Sequence, residues 1–392
     1  MASNQATCPV CQRLSSAPAV YRNRVPVHQN ILISTPDEAR NIGRGELSLH
    51  VCEACGFGWN AAFDPGLLSY GEAYDNTQSC SPCFDAYTDT LVQEILGDPS
   101  LRDARFVEVG CGKGAFLRKV VAGAGARAIG WGFDPSYLGP DEELGGRLRF
   151  VRTFYDERSA KIGADALFCR HVIEHVADPL ALLASVRGAL ASSPGARVFF
   201  ETPCLRWILE HQVVWDLFYE HCSLFTGESL AAAFRSTGFR VEQVRHVFGG
   251  QYLWLEATLG EEAPSHSAGD LPRLASQFAL QEAQLVDKWR VLTQSLREGG
   301  GVCVWGAGAK GVSFVNLVDP ERVLIDCVVD INRAKQGKYI PGTGHAIVSP
   351  SMLEDSSVRT ALILNPNYHE EIRRSAGVLA PALQLVNLMQ QE

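Results

Sequence analysis

The chain has 392 residues, of which 46% are apolar and 20% charged, and its formal net charge is −9. This length predicts two or three globular domains, each with its own core. The acidic balance argues against a nucleic-acid partner, and no apolar run is long enough to predict a membrane span. Because the N-terminal residues lack the features of a signal peptide, we expect a cytoplasmic protein whose 12 cysteines are thiols or metal ligands.

Residues 1–85 are predicted to form an irregular region organised by cysteines. Two C-x-x-C pairs with forty residues between them supply four soft ligands, namely Cys8, Cys11, Cys52 and Cys55. Such a set is typical of a structural zinc site, which leaves no open position for catalysis; unrelated cysteines are the alternative. A third C-x-x-C, at Cys80 and Cys83, has no partner pair. We attribute it to chance, with a redox or zinc role as the alternative.

Residues 86–260 alternate apolar runs with amphipathic segments. The predicted strands are residues 105–109, 128–133, 164–169 and 196–201. The predicted helices are residues 84–96, 115–122 and 179–190. Two further runs, 239–248 and 252–259, flank a Gly-Gly pair and predict an antiparallel hairpin. Parallel strands that finish in a hairpin predict a doubly wound α/β sheet of the methyltransferase type.

The first strand leads into the run Glu108-Val-Gly-Cys-Gly-Lys-Gly114. This E-x-G-x-G-x-G turn resembles motif I of class I methyltransferases that use S-adenosylmethionine; a plain strand–helix turn is the alternative. The resemblance implies that the second strand ends in an acid, Asp134, which grips the ribose hydroxyls of the cofactor. The implied cofactor-binding residues are Glu108, Gly110, Gly112, Gly114, Asp134, Phe154 and His171.

The fourth strand delivers an H-x-x-E-H run made by His171, Glu174 and His175. The run resembles the inverted zinc-protease signature, but we reject that interpretation because it follows a buried strand inside a methyltransferase order. It is also similar to a segment that walls the cofactor near its sulfonium in many class I methyltransferases. The alternative is that both histidines are hydrogen-bonded structural residues.

An aromatic segment after the fifth strand, residues 215–226, contains the adjacent pair Glu220 and His221. A histidine beside a carboxylate can be tuned to remove a proton near neutral pH. The segment is therefore the candidate catalytic element. An aromatic core segment with a paired histidine is the alternative.

A second glycine turn, Gly306-Ala-Gly-Ala-Lys-Gly311, follows a predicted strand at 302–305. A linker at 261–269 and a helix at 271–297 precede it, so that residues 261–300 connect two domains and residues 301–392 form the last one. Asp330 ends the next predicted strand, 323–330, and Asn365 follows another at 360–364. Taken alone, this G-x-G-x-x-G turn predicts a nicotinamide-dinucleotide site in an oxidoreductase or a regulated protein.

The order of these motifs along almost the whole chain resembles the sugar C-methyltransferases of deoxyhexose biosynthesis. That family methylates carbon 3 of nucleotide-linked 4-keto sugars, and it joins a zinc-binding region, a cofactor domain and a C-terminal Rossmann-like domain. The resemblance implies that His221 removes the proton α to the ketone of a dTDP-linked sugar to give an enolate. The implied catalytic residues are Tyr219, Glu220 and His221. The implied substrate-binding residues are Asn76, Phe218, Gly250, Gly306, Lys310, Gly311, Asp330 and Asn365.

Two positions depart from the family pattern. Phe218 stands where the family has an active-site tyrosine, and Asn76 faces a second family tyrosine. C-, O- or N-methylation of a different small molecule is therefore an alternative, as are a ligand-free C-terminal domain and a non-enzymatic zinc scaffold. We expect S-adenosylmethionine and structural Zn²⁺ as cofactors, a nucleoside-diphosphate sugar as partner, and a monomer or homodimer.

Overall fold

A computed structural model describes residues 6–15, 17–68, 74–75, 77–156, 162–354 and 356–390. The described strands form sheets of two, eight, four and five strands. In the part of the chain so described, we find no helix with the length and apolar character needed to cross a bilayer.

The N-terminal region is built from short strands joined by the cysteine turns. Its elements are β1 (Ala6–Thr7), β2 (Leu14–Ser15), β3 (Val20–Pro26), α1 (Pro36–Arg40), β4 (Arg44–Val51) and β5 (Gly58–Asn60). β1 pairs with β2 and β4 pairs with β5, both antiparallel. Each C-x-x-C pair therefore lies in the connection of one hairpin.

The central unit is a single eight-stranded sheet with helices on both faces. Its elements are α2 (Pro82–Leu96), β6 (Arg105–Val109), α3 (Ala115–Gly123), β7 (Ile129–Phe133), β8 (Glu142–Glu143), β9 (Leu148–Val151), β10 (Ala166–Arg170), α4 (Pro179–Ala189), β11 (Arg197–Pro203), α5 (Leu205–Glu210), β12 (Ser223–Leu224), α6 (Gly227–Ser236), β13 (Phe239–Val247) and β14 (Tyr252–Leu259). β12 alone lies outside this sheet.

The strand order of the large sheet is β13–β14–β11–β10–β6–β7–β9–β8. Strands β6, β7, β9, β10 and β11 are parallel, whereas β14 runs antiparallel to both β11 and β13. The predicted doubly wound methyltransferase sheet with its final hairpin is therefore confirmed. The chain leaves β6 toward β7 on one side and returns to β10 on the other, which opens a crevice at the carboxyl ends of these strands.

The C-terminal unit is a second, smaller parallel sheet. Its elements are α7 (Leu271–Glu298), β15 (Gly301–Trp305), α8 (Ala309–Val318), β16 (Cys327–Val329), β17 (Ile347–Val348), β18 (Val358–Ile363), α9 (His369–Leu379) and β19 (Gln384–Asn387). The strand order is β17–β16–β15–β18–β19 and all neighbours are parallel. The predicted second Rossmann-like unit is thus confirmed.

The strand predicted at 323–330 is wrong in its first half, because only Cys327–Val329 pairs as β16. Arg322 has a left-handed backbone with φ 59°. The amides of Val323 and Leu324 then donate to the carboxylate of Asp319, at 2.7 and 3.0 Å. Because these backbone amides donate to a side chain, they do not pair with a neighbouring strand.

The aromatic segment 215–226 is fixed by both neighbouring units. β12 within it pairs antiparallel with β5 of the N-terminal region. The hairpin that carries Cys52 and Cys55 is therefore directly hydrogen-bonded to the candidate catalytic segment. At its other end Trp215 is 1% exposed, and its ring centroid lies 5.6 Å from that of Trp289 and 5.5 Å from that of Phe314. Trp215 thereby packs the segment against α7 and α8.

Replacing Trp215 by alanine is expected to lower the free energy of unfolding by about 3–5 kcal/mol, since it leaves a cavity between three elements. Urea unfolding followed by circular dichroism measures the change. Val291→Ala, on the same helix as Trp289 but 66% exposed, is the control and should change stability by less than about 0.5 kcal/mol. Equal unfolding midpoints for the two variants would contradict this packing role.

Candidate functional site

The four cysteines predicted as metal ligands converge in the N-terminal region. The Sγ atoms of Cys8 and Cys55 are 3.7 Å apart, and those of Cys11 and Cys52 are 3.3 Å apart. All four sulfur atoms lie within 4.8 Å of one another. Four thiolates at about 2.3 Å from a tetrahedral zinc ion lie about 3.8 Å apart, so this set fits that ion.

The two cysteine turns share one backbone device. Gln12 and Gly56, each directly after the second cysteine of its pair, have left-handed backbones with φ 61° and 73°. Their amides donate to the carbonyl oxygens of Cys8 and Cys52, both at 2.9 Å. This turn directs the cysteine side chains of both hairpins to one point.

The first glycine turn follows β6 with three left-handed glycines. Gly110, Gly112 and Gly114 have φ 67°, 52° and 73°. A Cβ on Gly110 would strike Val172, one on Gly114 would strike Phe150, and one on Gly112 would meet nothing within 4 Å. Two of the glycines are therefore required by packing, whereas Gly112 faces open space.

The two acids expected beside this turn lie on either side of it. Asp134, at the end of β7, accepts hydrogen bonds from the amides of Gly112 at 2.8 Å and Ser136 at 2.7 Å. Its carboxylate oxygens keep further lone pairs for hydroxyl donors. Glu108 is 3% exposed, and burial raises the pKa of its carboxyl to about 8.

A cavity of about 380 Å³ opens in front of the first glycine turn. Its wall includes Glu108, Gly110, Gly112 and Asp134, together with Phe154 and Tyr155. Phe154 stands at the rim and is 69% exposed, whereas Tyr155 is buried, with its ring centroid 5.2 Å from that of Phe133. Of the two aromatic residues, Tyr155 is the one held in a fixed position.

His171 belongs to a buried chain of alternating charges. Its Nε2 lies 2.8 Å from Glu201 and its Nδ1 lies 3.3 Å from Glu174, while Arg170 donates to Glu201 at 2.9 Å. Burial alone would lower the pKa of His171, but the two carboxylates outweigh it and raise that pKa to about 9. His171 also has φ 54°, an uncommon conformation that concentrates at functional sites.

His221 and its neighbour Glu220 face different groups. The ring of His221 packs against Phe218 and His175, at centroid distances of 4.1 and 4.9 Å. Burial, with the nearby charges of His171 and Lys310, lowers the pKa of His221 well below its ordinary value. The ring is therefore neutral at pH 7 and able to accept a proton.

Glu220 is fully buried, but the contacts that hold it come from the N-terminal region. Its Oε2 accepts a hydrogen bond from the amide of Gln29 at 2.8 Å, and its Oε1 lies 3.6 Å from Nδ1 of His28. The neighbouring Tyr219 points away from His221, since its hydroxyl bonds to the backbone of Asp64 at 2.8 Å. These contacts anchor the segment and do not orient the His221 ring.

A second cavity, of about 240 Å³, lies between the second glycine turn and the aromatic segment. Gly306 has φ 110°, and a Cβ on Gly311 would strike the carbonyl oxygen of Gly306. The carboxylate of Asp330 accepts from the amides of Ala307 and Asn332, both at 2.7 Å. The turn is thus held open, with its backbone facing the cavity.

Both cavities share part of one wall. Residues that line both are Tyr74, Thr77, Gln78, His171 and His175. Phe218, Glu220 and His221 line the second cavity only. A ligand at each glycine turn would therefore meet the other at His171 and His175, next to His221.

Lys310 lies in the second cavity but is tied to the central unit. Its ammonium donates to Asp216 at 2.5 Å and to Gln251 at 3.2 Å. Gln251 in turn exchanges hydrogen bonds with Asn365 at 2.6 and 3.0 Å. The predicted substrate residues Lys310 and Asn365 are thus in one network, and Gly250, with φ 87°, precedes Gln251 in the β13–β14 turn.

Lys335, which the sequence motifs did not indicate, is 6% exposed and lines the second cavity. Its ammonium donates to two neutral oxygens, the side chain of Asn30 at 3.0 Å and the carbonyl of Ala307 at 2.9 Å. Burial lowers the pKa of Lys335 against the attraction of Asp330 and Asp75. In the sequence, only its position five residues after Asp330 could have indicated this residue. Asn76, predicted to contact substrate, lies outside the described residues.

A second group of possible metal ligands lies at the shared wall. Glu174, His175 and His221 offer ligand atoms within 4.8 Å of one another. Glu174, however, already faces the protonated ring of His171 and accepts from Thr202 at 3.1 Å. The negative charge of Glu174 is therefore compensated by protein groups. We interpret the three residues as a cluster of protein side chains and not as a metal site.

We expect Glu201→Gln to lower the pKa of His171 from about 9 toward the ordinary histidine range. NMR titration of the ring measures this, with the exposed Glu210→Gln as control. Because the folded pKa exceeds the ordinary 6.5, protonation of His171 stabilises the fold fully below about pH 6.5. That contribution is lost as pH rises through about 9. An unchanged His171 titration in Glu201→Gln would refute the proposed ion pair.

Comparisons with known proteins cover most of the chain. A family model described as a methyltransferase domain matches residues 84–244, and one described as a C-methyltransferase C-terminal domain matches residues 273–382. C-methyltransferase NovU of Streptomyces niveus is 27% identical over 398 aligned residues, which cover 93% of this chain and 90% of NovU. A ubiquinone biosynthesis O-methyltransferase of Methylococcus capsulatus is 34% identical over 28% of this chain and 48% of its own.

Among solved structures, the 1,6-didemethyltoxoflavin-N1-methyltransferase of Burkholderia thailandensis is similar to 45% of this chain and 80% of its own, at 16% identity and a TM-score of 0.34. The two family models follow each other in the order that the motifs predicted, and NovU aligns across both of them. The chain is therefore an S-adenosylmethionine-dependent methyltransferase, and over almost its whole length it is similar to a C-methyltransferase.

Proposed function

We propose that this enzyme methylates the carbon α to the ketone of a nucleoside-diphosphate 4-keto-deoxysugar. We further propose that the nucleotide of this sugar is dTDP. The observation that carries the proposal is the common wall of the two cavities, which includes His171 and His175. A methyl donor at the first glycine turn and an acceptor at the second would meet at that wall. Both the motif order and the alignment with a C-methyltransferase support this assignment.

On the donor side, the proposed contacts are those of the first glycine turn. Asp134 would accept the ribose hydroxyls, and the open face of Gly112 would admit the amino-acid part of the cofactor. S-adenosylmethionine, when bound, supplies an electrophilic methyl group. Glu108 and the rim residue Phe154 would complete the binding site.

On the acceptor side, the second glycine turn would hold the diphosphate. The α8 N-terminus offers backbone amides to an anion. The buried ammonium of Lys335, bonded only to neutral oxygens among the described residues, adds a positive charge. Lys310, paired with Asp216, would contribute less net charge but sits nearer the aromatic segment.

The proposed reaction begins at His221. Its neutral ring takes the proton of the α-carbon, and the electron pair of that carbon–hydrogen bond forms an enolate. The charges of His171 and Lys310, which face the same cavity as His221, would stabilise the enolate oxygen. The enolate carbon then bonds the methyl group as the sulfur–methyl bond breaks, and His221 releases its proton to water.

We expect His221→Ala to abolish methyl transfer while S-adenosylhomocysteine binds with near wild-type affinity, because His221 lines the acceptor cavity only. Turnover with a labelled methyl donor and calorimetric titration measure the two effects. The matched control is His266→Ala in the exposed linker, which should keep full turnover. Near-normal turnover of His221→Ala would remove this residue from the proposed mechanism.

Calorimetric binding of dTDP, UDP and NAD to the intact chain tests the acceptor class. Binding of dTDP is the expected result, because the second glycine turn would hold a sugar nucleotide. The G-x-G-x-x-G spacing that suggested a dinucleotide is retained in the turn. Binding of NAD without either nucleotide would therefore contradict the proposal and favour a redox or regulatory C-terminal unit.

We further propose that Cys8, Cys11, Cys52 and Cys55 hold a structural Zn²⁺, which their sulfur spacing supports. Cys55→Ser is expected to lower the zinc content from one ion per chain and to lower the melting temperature, since the ion would join two hairpins. Elemental analysis and thermal melting measure both. The exposed Cys80→Ser is the control, and equal zinc content in the two variants would contradict the assignment.

A further inference from the structure

The two glycine turns are joined by a continuous line of hydrogen bonds, which is buried except at the half-exposed side chain of Lys113. Lys113, between Gly112 and Gly114 of the first turn, donates to Asp75 at 2.8 Å. The other carboxylate oxygen of Asp75 accepts from the side chain of Asn332 at 3.4 Å. The amide of Asn332 donates to Asp330, which also holds the Ala307 amide of the second turn.

A second line runs parallel to the first. The amide of Asp75 donates to the carbonyl oxygen of Asn30 at 2.8 Å. The side chain of Asn30 accepts from Lys335 at 3.0 Å, and Lys335 also donates to the carbonyl oxygen of Ala307 at 2.9 Å. Both lines therefore connect Asp75 with Ala307 in the second turn.

Burial makes these contacts sensitive to displacement. Asn30, Asp75, Asp330, Asn332 and Lys335 are each 3–8% exposed. Burial would raise the pKa of Asp75, but the hydrogen bonds from Lys113 and Thr77 outweigh it and hold that pKa below its ordinary value. A buried, ionised carboxylate loses a large part of its stabilising free energy if one of its hydrogen-bond partners moves away.

We propose that Asp75 and Asn30 are positioning residues that couple the two ligand sites, so that occupation of the second glycine turn raises affinity at the first. A ligand at the second turn would fix Asn332 and Lys335, which face its cavity. Asp75 would then hold Lys113, and with it the first turn, in the geometry that binds the donor. The identity of the two ligands rests on the proposed function, whereas the coupling between the turns does not.

The coupling is reciprocal by thermodynamic necessity, so each ligand changes the affinity for the other by the same factor. It would favour donor binding when the acceptor is present. The N-terminal region would then contribute to catalysis through Asn30 and Asp75, besides anchoring Glu220.

The test uses the intact chain and S-adenosylhomocysteine as the titrated ligand. Asn332→Ala, in the C-terminal unit, is expected to weaken its binding about fivefold, at the lower end of usual coupling factors. In an Asp75→Ala background the same substitution should change affinity less than about twofold, because no side-chain oxygen at position 75 then joins Asn332 to Lys113. Arg333→Ala, exposed and adjacent to Asn332, is the matched control. An Asn332→Ala affinity equal to that of the control would overturn the coupling.

A measurement on the unmodified chain does not depend on how the variants fold. Saturating dTDP is expected to tighten S-adenosylhomocysteine binding about fivefold or more. If dTDP binds and this affinity stays the same, the coupling is wrong although the proposed acceptor class stands. If dTDP does not bind, the acceptor class fails, and the folded Asn332→Ala variant decides the coupling alone.

Discussion

The stretch from Val214 to Leu224 is held by groups from all three parts of the molecule, and the position of the candidate base depends on it. Trp215 packs on α7 and α8, and Asp216 pairs with Lys310 of the second glycine turn. Glu220 is bound by the backbone of Gln29, and β12 joins the N-terminal sheet. His221 stands between these anchors, so its place is set by long-range packing and not by its own neighbours in sequence.

Two histidines near the common wall of the cavities differ in their protonation state at neutral pH. His171, between two buried carboxylates, has its pKa raised to about 9 and carries a positive charge at neutral pH. Burial, together with that charge and Lys310, lowers the pKa of His221, so its ring is neutral. A histidine with a lowered pKa is a weaker base, but the same positive charges favour an enolate. The arrangement therefore suits a reaction in which negative charge develops on the acceptor.

Much of the fold was predictable from local pattern. The strand Arg105–Val109 and the hairpin strand Tyr252–Leu259 lie where the sequence predicted them, because apolar runs bounded by glycine leave few alternatives. The cysteine pairs and the glycine turns were predictable because each motif lies within a few consecutive residues. The roles of Glu220 and Tyr219 were not, since adjacency in sequence does not say which way a buried side chain faces. Glu201, Asp75 and Lys335 were missed because their partners lie far away along the chain.

Transfer of a ¹³C-labelled methyl group from S-adenosylmethionine to a dTDP-4-keto-deoxysugar tests the central claim most directly. We predict that NMR of the product locates the label on the carbon next to the ketone, since His221 would generate an enolate there. A label on oxygen or nitrogen, or no methyl transfer to any nucleoside-diphosphate keto sugar, would contradict the account.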